Sequence, residues 1–205
     1  EVGYDETTAA SITLSGSTAS CDSDAVTVDG GTITITDEGT YILSGTLDDG
    51  MVIVDADDTD KVQLVLNDAS IHCEDCAALY VRQADKVFVT TADDTQNTLS
   101  GGETFTQLDD NNIDGVIFSK SDLTLNGLGT LTVDSPAGHG VVTKDDLAVT
   151  GGTYVVTAAG QGLSGKDSVR IADGAFTLTT GKDAIQSDNT EDSDKGFVYL
   201  AGGTF

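Results

Sequence analysis

The stretch VVTKDDLAVTGGTYVV, residues 141–156, decides how this chain folds. Its apolar side chains alternate with polar ones in three short runs, broken by Lys-Asp-Asp and by Thr-Gly-Gly. Alternation with period two marks a strand, and turn-forming residues at fixed intervals mark bends. The pattern returns in IFSKSDLTLNGLGTLTV (117–133), LSGKDSVRIADGAFTL (163–178) and IQSDNTEDSDKGFVYLAGGTF (185–205). Lys120, Lys144, Lys166 and Asp188 then occupy equivalent places, in steps of 24, 22 and 22 residues. Upstream, Val54 and Leu79 stand 25 apart, as do Val62 and Val87. A fixed period of this length signals a repeat architecture, and no segment carries helical spacing long enough to compete.

Three strands per period and no helix predict an all-β protein of one kind: a parallel β-helix, a single-stranded solenoid with three short strands per coil and 22–25 residues per coil, right-handed by the general bias of parallel crossovers. Counterpart strands of successive coils stack about 4.8 Å apart, which sets equivalent residues in columns. Ile117, Val141, Leu163 and Ile185 form one inward column, and Leu125, Val149, Ile171 and Leu200 a second. The third is Leu131, Tyr154, Phe176 and Phe205, whose rings are expected to stack in the core. Paired turn residues at 151–152, 173–174 and 202–203 supply the positive φ that a corner requires. Residues 1–30 are polar and irregular and read as an N-terminal cap segment; residues 31–205 read as the solenoid, truncated in its last coil.

Composition narrows the partners. With 35 acids against 9 bases the formal charge is -26, which opposes nucleic acid and anionic membrane, since phosphate binding needs clustered Lys and Arg. It favours a bound cation. No run of eighteen apolar residues exists, so no membrane-inserted helix is expected, and nothing at the start reads as a signal peptide. The chain start is consistent with a removed leader or with an arbitrary boundary. Cys21, Cys73 and Cys76 are too few for a disulfide framework; two of them bridge, or all three are buried thiols. The CxxC spacing in HCEDC lies between strand-like runs instead of at a helix start, which opposes thioredoxin-like chemistry.

GTYILSGTLDDGMVIVDA (39–56), KVQLVLNDASI (61–71), IFSKSDLTLNGLGTLTV and GKDSVRIADGAF resemble the bacterial carbohydrate-binding domain family of right-handed parallel β-helix proteins, pectate-lyase-like in fold. The resemblance runs from about residue 10 to the last residue. It implies a secreted or cell-surface protein that binds plant cell-wall polysaccharide, with calcium held in the helix. Where the family favours an acid or Asn before the first-strand Gly, this chain has His139 and Gln161, and Asp183 alone keeps the acid.

The residues themselves offer two candidate sites. One outward column reads Tyr80, Phe118, Val142, Ser164, Gln186, and its neighbour reads Arg82, Lys120, Lys144, Lys166, Asp188. Four of nine bases on one face suit a chain of uronate carboxylates, and Tyr80 with Phe118 would stack a sugar ring. The structural alternative is that the lysines merely neutralise Asp122, Asp145, Asp146 and Asp167, because stacked carboxylates repel by roughly 3 kcal/mol at an effective dielectric of 20. At the last repeat Asp188 replaces the lysine as Asp183, Glu191, Asp192 and Asp194 arrive on a seven-residue insertion. Hard oxygen donors in a flexible loop describe calcium better than zinc, although the loop lacks the EF-hand register. Asp109, Asp110 and Asp114, on the earlier insertion SGGETFTQLDDNNID (100–114), form a second calcium candidate. The two insertions flank one sheet and would make the walls of a groove floored by the cationic spine.

Taken with the resemblance, this pattern leads to a non-catalytic module, stabilised by calcium, that binds acidic pectin-type polysaccharide, cellulose or both. The rival is a calcium-dependent polysaccharide lyase acting on polyuronate, with Lys144 or Lys166 as base. Neighbouring aspartates favour the charged lysine, which argues against that chemistry. A structural or adhesin stalk is the third class.

Overall fold

The computed structural model of the protein describes residues 3–205; residues 1 and 2 of the expected cap segment lie outside the described residues. Within that span all regular structure is strand, and no helix is long and apolar enough to cross a membrane. The burial pattern follows the alternation. In Thr130–Ser135 the residues Leu131 and Val133 are buried while Thr130 and Thr132 are half-buried, because successive Cβ atoms leave opposite faces of a strand.

The expected single-stranded, three-faced right-handed β-helix is not the architecture found. The strands form two sheets, one of 13 strands and one of 8. The larger follows a path of ten parallel strands that curls into a half-barrel about Lys61–Cys73. That strand is 13 residues long, and it joins two strand families into the one larger sheet. Its first half pairs with Lys86–Thr91 and its second half with Gln96–Gly101, so two families of strands share one hydrogen-bonded surface. The chain bends there without breaking: Asp68 takes a φ of 54° and the pairing with Gly39–Leu47 shifts register between Leu43 and Gly45. Two antiparallel pairs, Ala10–Gly16 with Thr18–Ser20 and Val26–Asp29 with Thr32–Ile35, depart further from a uniform coil.

Lateral alignment does follow the repeat. Ile117 pairs with Val141, Val141 with Leu163, and Leu163 with Ile185 in the smaller sheet. Leu125, Val149, Ile171 and Leu200 are neighbours in the larger. Leu131, Tyr154 and Phe176 continue along it. The rings of Tyr154 and Phe176 stack at 5.3 Å and those of Phe176 and Phe205 at 4.9 Å. Each such ring needs a glycine before it. Gly152, Gly174 and Gly203 have φ of 109°, 137° and 100°, and a Cβ at Gly152 or Gly174 would stand 2.9 Å from the following ring or its hydroxyl. Cys73 and Cys76 form the disulfide, with Cα atoms 5.3 Å apart, and Cys21 is free.

Candidate functional site

The outer face of the smaller sheet carries the columns singled out above, and the two loops bracket it. The first loop, 102–114, folds down over Tyr80 and Phe118, which are both 0% exposed. They pack with Met51, Ile53, Ile113 and the disulfide in a second apolar cluster. Neither ring is open to a sugar, so the expected aromatic stacking contact is absent. The Tyr80 hydroxyl donates to Asp109 Oδ2 at 2.5 Å and accepts from Asn111 Nδ2 at 2.9 Å. Burial, reinforced by Asp109, pushes that hydroxyl up to about 12. Burial also works against ionised Asp109, but hydrogen bonds from Tyr80 and Asn111 and the charge of Arg82 outweigh it and hold the carboxyl below its usual range. Arg82 bonds Asp55 at 2.9 Å and approaches Asp109 at 3.5 Å. Asp109 and Arg82 are thus committed to fastening the loop. Asp110 is exposed beside them.

Between this loop and the second one, 187–196, lies a groove of about 530 Å³. Val142, Ser164 and Gln186, laterally paired, form its floor. Lys144, Lys166, Asp188, Thr190 and Glu191 line one side, and Asp114, His139, Gln161 and Lys182 also border it. Lys144 sits 5.1 Å over the Phe118 ring, a cation–π contact that holds its position. Lys120 is exposed but lies outside the groove lining. Sequence reasoning missed Lys182, which sits at a bend where strand alternation gives no direction, and assigned no role to His139, the first residue of the strand His139–Thr143.

The ion pairs decide between the two readings of the lysines. Asp122 is paired by Lys86 at 2.9 Å, Asp146 by Arg170 at 3.6 Å and Asp167 by Lys195 at 2.5 Å. The cations that pair Asp122, Asp146 and Asp167 therefore come from elsewhere, and Asp145 is in no ion pair among the described residues. Of the nine bases, Lys120, Lys144, Lys166 and Lys182 form no ion pair among the described residues, and the last three line the groove.

Lys195 also changes the account of the acidic loop. It lies on the insertion itself and bonds Asp167 beside Asn189 Nδ2, at 2.6 Å. The Lys195 bond, against the opposing effect of burial, holds the Asp167 carboxyl below its usual range. Asp183, Asp188, Glu191, Asp192 and Asp194 are exposed, and among the described residues they do not gather as three carboxylates within 4.8 Å. Asp122, Asp145 and Asp146 do. Burial, a hydrogen bond with Asp167 and the charges of Asp122, Asp167 and Asp146 push Asp145 up, the mark of negative charge in excess. Those three residues could hold a metal ion.

His139 Nδ1 accepts the Gln161 N–H at 2.8 Å, a role open only to an unprotonated ring nitrogen. Burial lowers its affinity for a proton, Asp114 raises it, and Lys182 and Lys144 lower it further, leaving the imidazole below its ordinary 6.5. The unfolded chain thus protonates at a higher pH than the folded one. The contribution of His139 to stability is complete above 6.5 and is lost as pH falls from there through the lower folded value. An NMR titration of the folded protein is expected to place the His139 midpoint below that of free histidine; a midpoint above it contradicts this account.

With this geometry established, comparison with known proteins identifies the class. The family model described as carbohydrate-binding domain-containing protein matches residues 29–205, and the chain belongs to that family. A carbohydrate-binding domain-containing protein of Acetivibrio thermocellus is 42% identical over 183 residues, 88% of this chain; the chain spans 64% of that relative's length. Among solved structures, the polysaccharide lyase-like protein from C. thermocellum, determined as a gadolinium derivative, superposes with a TM-score of 0.92 at 36% identity. The match covers 95% of this chain and 79% of that one.

Proposed function

We infer that this carbohydrate-binding domain is a non-catalytic module that holds an acidic, pectin-type polysaccharide of the plant cell wall in the groove between the two loops, at the cell surface or after secretion. The observation that carries the reading is the convergence of Lys144, Lys166 and Lys182, all without ion-pair partners among the described residues, on one groove of a chain with a formal charge of -26. Uronate carboxylates match such cations in charge and in hydrogen-bonding capacity. Gln161 and Gln186, bonded side chain to side chain, add donors and acceptors for hydroxyl groups.

The polysaccharide lyase-like neighbour keeps a second outcome in play, an eliminating enzyme. Lys144, Lys166 and Lys182 would serve either outcome, as carboxylate partners in a module or as a proton-abstracting base in an enzyme. The test separates both outcomes: incubation with polygalacturonate, cellulose and xylan, in calcium or in chelator, with retention and the absorbance of unsaturated product read together. Retention without absorbance supports the module. Absorbance overturns it, and neither signal leaves a stalk.

Calcium belongs to this proposal as a structural ion. Asp122, Asp145 and Asp146 would hold it, since they offer convergent hard oxygen donors; bound there, it would neutralise a carboxylate cluster and take part in no reaction step. Chelator is expected to lower the melting temperature by several degrees, as loss of a ligand held well above its Kd requires. Asp145→Asn should abolish that sensitivity and Asp188→Ala with Asp192→Ala should keep it; the reverse pattern returns the ion to the 183–194 loop.

A further inference from the structure

The larger sheet has a cleft of its own, of about 690 Å³, on the face opposite the core. Phe88 lies between Val87 and Val89, which are 0% and 1% exposed, so its side chain leaves the other side of the strand. The same argument turns Gln63, between Val62 and Leu64, and Thr40, beside Tyr41, to that face. These three are lateral neighbours, Thr40 paired with Gln63 and Gln63 with Phe88. Thr8, Glu38 and Lys61 complete the cleft.

We propose that this cleft is a second carbohydrate site, centred on Phe88, that takes an uncharged pyranose chain. Three observations point to that ligand. First, Phe88 is a half-buried ring in a cleft, whereas Tyr41, Tyr80, Phe118, Tyr154 and Phe176 are all buried in the cores. An aromatic surface beside polar groups is what the C–H face of a sugar requires, one side apolar and its edge hydroxylated.

Second, the polar groups are already set in place. Thr40 Oγ1 donates to Gln63 Oε1 at 3.3 Å and Gln63 Nε2 donates to Thr90 Oγ1 at 3.0 Å. The amide is held by both ends and still has one N–H and one lone pair to offer, so a ligand hydroxyl meets a donor and an acceptor that need no ordering. Third, the charges exclude a uronate. Lys61 is taken up by Asp85 at 3.7 Å, and Glu38, in no ion pair among the described residues, adds a carboxylate to the rim. The groove on the other sheet, by contrast, offers Lys144, Lys166 and Lys182, which form no ion pair among the described residues, so the two sites differ in ligand as well as in position.

Calorimetry with cellohexaose, which is uncharged, and hexagalacturonate, which is anionic, tests the assignment on the full chain. Phe88→Ala is expected to weaken cellohexaose binding by about tenfold or more and to leave hexagalacturonate binding unchanged, while Phe88→Tyr, which keeps the ring, retains both. A wild-type chain that does not bind cellohexaose, or a Phe88→Ala chain that binds it as tightly as wild type, overturns the proposal. Lys144→Ala with Lys166→Ala reports on the groove alone: intact hexagalacturonate binding in that variant defeats the groove reading and leaves the Phe88 result to stand by itself.

Discussion

Replacing Lys144 and Lys166 together by alanine is expected to weaken polygalacturonate binding by roughly a hundredfold, on the basis of about 1.5 kcal/mol for each charge-assisted contact and tenfold per 1.4 kcal/mol. Both side chains are exposed at the groove, and neither forms an ion pair among the described residues, so their removal takes away ligand contacts without uncovering a buried charge. The fold should barely register the change. Lys120→Ala is the matched control, because that lysine also lacks an ion pair among the described residues yet lies outside the groove lining. Binding measured at two salt concentrations sharpens the result: the wild type should weaken with salt and the double variant much less. Equal losses in Lys120→Ala and in the double variant would mean that net charge, and not the groove, attracts the ligand.

The largest effect on stability is expected at Tyr154. It is 1% exposed, stacks on Phe176 at 5.3 Å and donates its hydroxyl to the Gly151 carbonyl at 2.8 Å. Tyr154→Ala removes a whole ring from a close-packed column and should cost about 3–5 kcal/mol. Tyr154→Phe keeps the ring and should cost only about 1 kcal/mol, the net worth of a hydrogen bond, with some penalty for the Gly151 carbonyl left behind. Urea unfolding of both variants gives the comparison. Near-equal losses would show that the hydroxyl, and not the stacked ring, holds this corner together.

Strand positions and lateral register were legible because they depend on two local signals, side-chain alternation and the return of turn residues. Val141 beside Leu163, and Tyr154 beside Phe176, follow from the repeat alone. The number of sheets was not legible. Asn67-Asp68 looks like a turn between two strands, yet Lys61–Cys73 runs through it with a bend, and one residue at φ 54° converts separate faces into a continuous half-barrel. Alternation says which residues leave the core but not what then covers them. Tyr80 and Phe118 do point outward from the first core, and only the folded path of the 102–114 loop buries them in a second. The groove between two insertions was visible in the spacing of those insertions. The role of Lys195 was hidden for a different reason: it reaches Asp167 from 28 positions along the chain, across a loop with no period.

The even chain separation between paired strands has a mechanical meaning. Val141 and Leu163, like Leu147 and Val169, are neighbours that stand 22 residues apart. Tension applied to one end would therefore peel the molecule rung by rung, and each released period yields roughly 75 Å of slack when stretched. The groove floor, formed by Val142, Ser164 and Gln186, belongs to the later rungs. A pull strong enough to release those rungs would take the floor from under the ligand and end the grip.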